Sequence, residues 1–191
     1  NVMVFDMEGN FIKQIGRQGR GPNEYIHLKS FFVDEVDEDI IFYTGDAGNV
    51  LRFNSSGQVT EKIFRYPYAD NMYSLNNILV FSGLMSFTTR NMPDNIFQFS
   101  TTNMQGHKID SVKLPLYSIN NWRERSVFFG GNFLSTRYNE FLLLYGLGED
   151  TIFQTSKSGK IEPRYLLNFG KYSFPFEERY VRSSFGNSVN Y

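Results

Sequence analysis

Apolar positions along the chain fall into short runs that suit strands, at Ser30–Val33, Asp39–Tyr43, Asn77–Phe81, Phe133–Ser135 and Glu140–Leu144, and no segment carries sustained helical periodicity. A longer pattern overlies these runs. Gly9, Gly57, Gly106 and Gly159 recur at separations of 48, 49 and 53 residues. Each has an apolar residue seven positions earlier (Val2, Val50, Phe99, Ile152) and a turn former three positions earlier (Asp6, Asn54, Asn103, Ser156). Ile15, Ile63, Val112 and Tyr165 follow each glycine six positions later. Asp, Asn or Ser opening a type I turn that closes on Gly, where positive φ is needed, predicts a β-hairpin with a G1 bulge. The unit is imperfect at Lys108, where the other three have Phe11, Val59 and Ile161.

Two further strands fit between successive hairpins, and four antiparallel strands per repeat of about 50 residues predict a propeller blade. The expected fold is therefore all-β, a β-propeller with four-stranded antiparallel blades. Closed propellers use about four to eight blades, whereas this chain holds an outer half-blade at 1–16, blades at 28–64, 72–115 and 126–169, and the start of another at 170–191. It is read as a single, incomplete propeller domain of three to four blades. One consequence is an open sheet edge, so the expectation is either that the chain is a truncated or cleaved product or that another chain completes the edge.

Composition supports sheets over helices. Two Ala in 191 residues is very little of the best helix former, while 20 Phe, 12 Tyr and one Trp supply a large core. Nineteen Lys plus Arg against twenty Asp plus Glu leave a net charge of −1, which removes the overall basic field that drives nucleic-acid binding. The absence of Cys excludes disulfides, thiolate zinc sites and cysteine nucleophiles. The longest apolar run, Phe141–Tyr145, is far short of the roughly 20 residues of a membrane-spanning helix. Asn1 opens a strand, so any targeting signal is expected upstream.

The stretches Val2–Tyr25 and Asp150–Pro175 resemble the six-bladed β-propeller proteins of gut and related Bacteroidetes, distant relatives of the NHL-repeat propellers. The marks are Gly16, Arg17, Gly19, Gly21, Pro22, Glu24 and Tyr25 after one hairpin, and Arg164, Tyr165, Phe169 and Gly170 after another. The resemblance implies a ring of six blades and an exported protein of the periplasm or outer-membrane surface, often lipid-anchored, generally without an assigned activity. This chain spans about half of such a ring, so a lipid-attachment Cys would lie upstream.

Several constellations invite chemistry and are better explained by structure. The Gly16–Pro22 segment is glycine-rich but has neither dinucleotide nor Walker spacing, and Pro22 lacks an N–H, so it reads as a rigid connection. The acidic run Asp34, Glu35, Asp37, Glu38 and Asp39 lacks the glycine and terminal glutamate of a calcium loop and reads as a solvated turn. His27 and His107 are 80 residues apart, with no His or Cys neighbour to share a metal. No cofactor, catalytic residue or metal ligand is assigned.

Binding residues are expected in the connections from the outermost strand of one blade to the innermost of the next, where aromatics stand beside Arg and Asn. The candidates are Arg65, Tyr68, Trp122, Arg123 and Arg125, with Trp122 in a strongly polar segment. Flat rings beside planar hydrogen-bonding groups suit a glycan or a protein hot spot. The competing use of such aromatics is packing between blades. The function read from these features is non-catalytic binding of a glycan or protein on one face. The alternative is a propeller enzyme, a hydrolase, lactonase or lyase, with a metal or catalytic centre at the ring axis.

Overall fold

The computed structural model describes residues 2–21, 24–34, 37–45, 48–67, 69–83, 97–113, 133–146 and 150–172. Among them the only helical element is a single 3-10 turn, Gly170–Tyr172, and no helix is long and apolar enough to cross a membrane. The rest is sheet. A hairpin of β1 (Val2–Phe5) and β2 (Phe11–Ile15) comes first. Three four-stranded antiparallel meanders follow. The first comprises β3 (Leu28–Val33), β4 (Ile40–Thr44), β5 (Asn49–Phe53) and β6 (Val59–Arg65). The second comprises β7 (Asn71–Leu75), β8 (Ile78–Ser82), β9 (Phe97–Asn103) and β10 (Lys108–Lys113). The third comprises β11 (Phe133–Tyr138), β12 (Phe141–Gly146), β13 (Thr151–Thr155) and β14 (Ile161–Leu166).

The four repeated turns have the chemistry their residues dictate. Gly9, Gly57, Gly106 and Gly159 sit at φ of 87°, 83°, 83° and 76°, a region that glycine enters without steric cost. Each glycine N–H donates to the carbonyl three residues earlier, on Asp6, Asn54, Asn103 or Ser156, at 2.9 to 3.1 Å. The side chain of that first residue locks the turn. In the first three units its Oδ1 accepts the backbone N–H groups two and four residues on, at 2.7 to 3.1 Å. In the fourth, the shorter Ser156 accepts only from Ser158, at 3.4 Å. β7 is a strand that the apolar runs did not reveal. It ends in the two-residue turn Asn76–Asn77 between the paired Leu75 and Ile78, with Asn76 at φ 53°, a conformation that asparagine tolerates.

Side chains alternate across a strand, so a sheet packed on both faces needs apolar residues at consecutive positions. That is why the central strands read as unbroken runs. Along β4, Phe42 is in a cluster with Ile15, Tyr25, Leu51 and Phe53, with Ile40 packed against it. The intervening Ile41 and Tyr43 join Val50, Met72, Leu79 and Phe81. Along β8, Leu79 and Phe81 are in that second cluster, whereas Ile78 and Val80 meet Leu75, Phe99, Leu142 and Leu144. The three clusters thus connect hairpin to first sheet, first sheet to second and second to third. Each fully buried Phe or Leu contributes roughly 1.5 to 3 kcal/mol of transfer free energy.

Polar contacts fix the same joints. Lys29 on β3 donates to the Ala69 carbonyl at 2.7 Å and pairs with Asp70 at 3.1 Å, and the Met72 N–H donates to Ser30 Oγ at 3.0 Å. The buried Tyr43 hydroxyl lies 2.9 and 3.0 Å from the Tyr66 and Ala69 carbonyls. Burial pushes its pKa up, so the phenol stays protonated as a donor.

Candidate functional site

Antiparallel register gives each sheet two distinct ends. In the first sheet Val33, Ile40, Phe53 and Val59 lie at one end, and Leu28, Thr44, Asn49 and Arg65 at the other. The repeated glycine turns are at the first end. So are the connections from the first to the second strand of each sheet, and each of these holds a non-glycine residue at positive φ: Glu38, Asn76 and Asn139.

A cleft of about 250 Å³ opens where these connections converge, lined by Phe32, Val33 and Asp34 of the first sheet, Ser74, Asn76 and Asn77 of the second, and Arg137 of the third. Its lining residues carry a carboxylate, a hydroxyl, two carboxamides and a guanidinium beside two apolar side chains. The Ser74 hydroxyl donates to the Asn76 carbonyl at 3.1 Å, so its proton is engaged by backbone rather than by a base.

Asp34 links the cleft to an ion-pair network. Arg52 on β5 lies 3.1 Å from Asp37, 3.4 Å from Asp39 and 4.0 Å from Asp34. Three carboxylates of the acidic run, Asp34, Asp37 and Asp39, are therefore gathered around a guanidinium from their own sheet, which puts a fixed cation where the sequence pattern invited an ion. Among the described residues no group of three or more His, Cys, Asp or Glu is placed to hold a metal.

At the opposite end of the sheets, Arg65 closes β6 and is exposed. Tyr68, Trp122, Arg123 and Arg125 lie outside the described residues. Aromatics in or next to those same connections, Tyr73 among them inside β7, are engaged in packing. Tyr66 stacks on Phe81 at 4.0 Å and 15°, Tyr25 is buried edge-on to Phe42 at 5.4 Å, and Tyr73 packs against the Leu75–Val80 cluster.

The Gly16–Tyr25 connection is held by its own side chain. Glu24 accepts the Gly21 N–H at 2.7 Å and pairs with Arg17 at 3.2 Å. A Cβ on Gly19 would come within 1.9 Å of the Glu24 carboxylate. An internal carboxylate occupies the anion position that such a loop could offer, in keeping with a rigid connection.

Apart from Asp34, which the acidic run had singled out, the cleft residues escaped the reading of the sequence because the three lining segments come from strands about 40 and 60 residues apart in the chain, brought together only by sheet packing. The one local signal was Asn76–Asn77, an asparagine pair between apolar neighbours that marks a tight turn.

Two solved structures share the fold. A "Putative exported protein" from Bacteroides fragilis NCTC 9343 superposes with a TM-score of 0.65 at 22% identity, over 87% of this chain and 45% of its own. A member of the duf4221 family from Bacteroides vulgatus ATCC 8482 superposes with a TM-score of 0.53 at 16% identity, over 87% of this chain and 51% of its own. The chain thus spans about half the length of these neighbours. No curated protein matches it. A family model described as "Domain of unknown function (DUF4934)" matches residues 1–190, almost the whole of the repeat array described above, and the chain belongs to that family.

Proposed function

We propose that this chain is a non-catalytic binding module of the bacterial envelope, exported to the periplasm or outer-membrane surface. Its meander sheets are read as blades of a propeller-type, NHL-like ring, six in the complete assembly, held at the membrane by a lipid. The ligand class is a glycan, or a protein segment presenting similar polar groups. The observation that carries this reading is the cleft at the convergence of β3, β7 and β11. Its size suits one sugar unit better than an extended ligand, since drug-sized sites run from about 300 to 1,000 Å³. Charged, hydroxyl and amide groups beside Phe32 and Val33 suit a ring with hydroxyls on its edge and C–H groups on its face. Export is supported by the name of the Bacteroides fragilis neighbour.

The connection end, with Arg65, Tyr68, Trp122, Arg123 and Arg125, is the alternative location for the same site. A thermal-shift and calorimetric screen of the 191-residue chain against mono- and oligosaccharides, peptides and divalent metals tests the proposal. A saccharide should raise the melting temperature, and Arg137→Ala should weaken its binding at least tenfold while Arg65→Ala leaves it unchanged. Loss of binding in Trp122→Ala with Arg137→Ala unaffected moves the site to the connection end. Stabilisation by metal alone overturns the binding reading in favour of the enzyme.

A further inference from the structure

The first and second sheets meet along two rows of paired residues. In the first sheet Phe32, Ile41 and Arg52 lie side by side on β3, β4 and β5, and in the second Ser74, Leu79 and Thr102 lie side by side on β7, β8 and β9. Ile41 and Leu79 share one buried cluster, so the two rows face each other across the joint. Residues paired across strands point to the same face. Arg52 and Thr102 therefore both turn into that joint, close to the repeated turns that open on Asn54 and Asn103. The inner members of the same rows, Phe32 and Ser74, line the cleft.

Two buried polar atoms in these rows, Arg52 Nε and Thr102 Oγ1, have no hydrogen-bond partner among the described residues. Thr102 is fully buried. Burying a donor or a hydroxyl unpaired is costly, and local structure does not demand it. The turn has no need of the hydroxyl, because the residue before the turn former is Phe53 in the first sheet. The charge of Arg52 is already met at its terminal nitrogens by Asp34, Asp37 and Asp39, at 3.1 to 4.0 Å. Asp34 is also a wall of the cleft, so the Arg52 side chain runs from the buried joint to the site itself.

Chemistry decides what can satisfy both atoms. Nε–H only donates, whereas a threonine hydroxyl donates or accepts, so one bridging oxygen must accept from Arg52 and can donate to Thr102. An anionic group is opposed by three carboxylates against a single guanidinium, an excess that Arg137 of the cleft reduces without removing. An ammonium has no lone pair to accept the Nε proton. A neutral hydroxyl meets each requirement. We propose that Arg52 and Thr102 form a specificity-determining subsite behind the cleft, which takes one hydroxyl of a neutral sugar. The inference rests on the binding function proposed above and narrows its ligand class from glycans at large to neutral hexose units.

Calorimetry of the 191-residue chain with D-glucose, D-galactose and D-mannose, beside D-glucuronate and D-glucosamine, tests the subsite. At least one neutral hexose should bind ten times or more tighter than either charged sugar. Thr102→Val removes the hydroxyl and keeps the branched shape. It should weaken that hexose about tenfold, the scale of one lost hydrogen bond, while Thr102→Ser retains the affinity. Among the monodeoxy forms of the same hexose, one should bind the native chain as weakly as Thr102→Val binds the parent sugar, and should lose nothing further in that variant. Circular dichroism checks the fold. Without sugar, Thr102→Val should melt no lower than the native chain, because an unpaired buried hydroxyl has been removed. Arg137→Ala should weaken every sugar, which separates the subsite from the cleft. If Arg137→Ala weakens a hexose and Thr102→Val does not, or if a charged sugar binds as tightly as the neutral ones, the subsite is overturned and the cleft stands. If no sugar binds, both fall.

Discussion

The turns at Gly9 and Gly57 have the same hydrogen bonds and nearly the same φ, but no described atom lies within 4 Å of the Cβ position at one, whereas the backbone of a neighbouring sheet abuts the other. The sheets they belong to differ in the same way. Strands β4 and β5 are covered on both faces, whereas β1 and β2 are covered on one. Local turn chemistry is thus satisfied within each hairpin by itself, and sheet packing is an additional demand placed on the same residues. Repetition of the turn motif reports the local requirement. It does not report which copies have a neighbour.

Core substitutions should separate the two regions most widely. Phe42, fully buried between Tyr25, Phe31 and Phe53, should cost about 3 to 5 kcal/mol on replacement by Ala. Phe5→Ala, half-exposed on the open face of the hairpin, should cost about 1 kcal/mol or less in a monomer. Urea denaturation of the two variants checks this, and equal losses would show that the first hairpin is packed as deeply as the first sheet.

Glycine substitutions should give a smaller contrast. Gly9→Ala meets only the left-handed backbone and should cost about 1 kcal/mol. Gly57→Ala adds a contact of 2.8 Å to the Gln14 carbonyl, and overpacking of this kind raises the loss to about 2 to 4 kcal/mol. Equal losses at both positions would mean that the joint between hairpin and first sheet yields without cost.

Acid should distinguish the joints most subtly. The Asp110 carboxyl is held below its ordinary 3.8, first by the hydrogen bond from the Ile161 N–H, against a smaller opposing effect of burial. Asp6 is also lowered, but by Asn10 within its own turn. For a carboxylate whose folded pKa is depressed, the stabilising contribution is present above pH 4 and is lost as pH falls through the folded value. Asp110→Asn should therefore flatten the loss of stability below pH 4. Because its partner belongs to another sheet, the same variant should weaken the joint between the second and third sheets. Asp6→Asn should affect only the first hairpin. Hydrogen exchange of the Ile161 amide at pH 3 and pH 6 in each variant distinguishes the two.

The sequence by itself determined the hairpins. Asp6, Asn54, Asn103 and Ser156 with their glycines form turns through contacts within five residues, and no distant partner is needed to specify them. It also determined the all-β class, because unbroken runs such as Ile40–Tyr43 can satisfy alternating faces only when both are buried. Tertiary structure decided which aromatics pack and which line a site. Tyr25 and Tyr66 lie in connections that resemble a binding surface in composition, yet Tyr25 is buried against Phe42 and Tyr66 is partly buried, stacked on Phe81. The cleft existed in no local pattern, since Asp34, Asn76 and Arg137 lie far apart along the chain and their proximity follows from the order in which three sheets stack. Side-chain alternation and turn chemistry act over a few residues, whereas a shared cleft depends on relative sheet positions that only packing of the intervening cores sets.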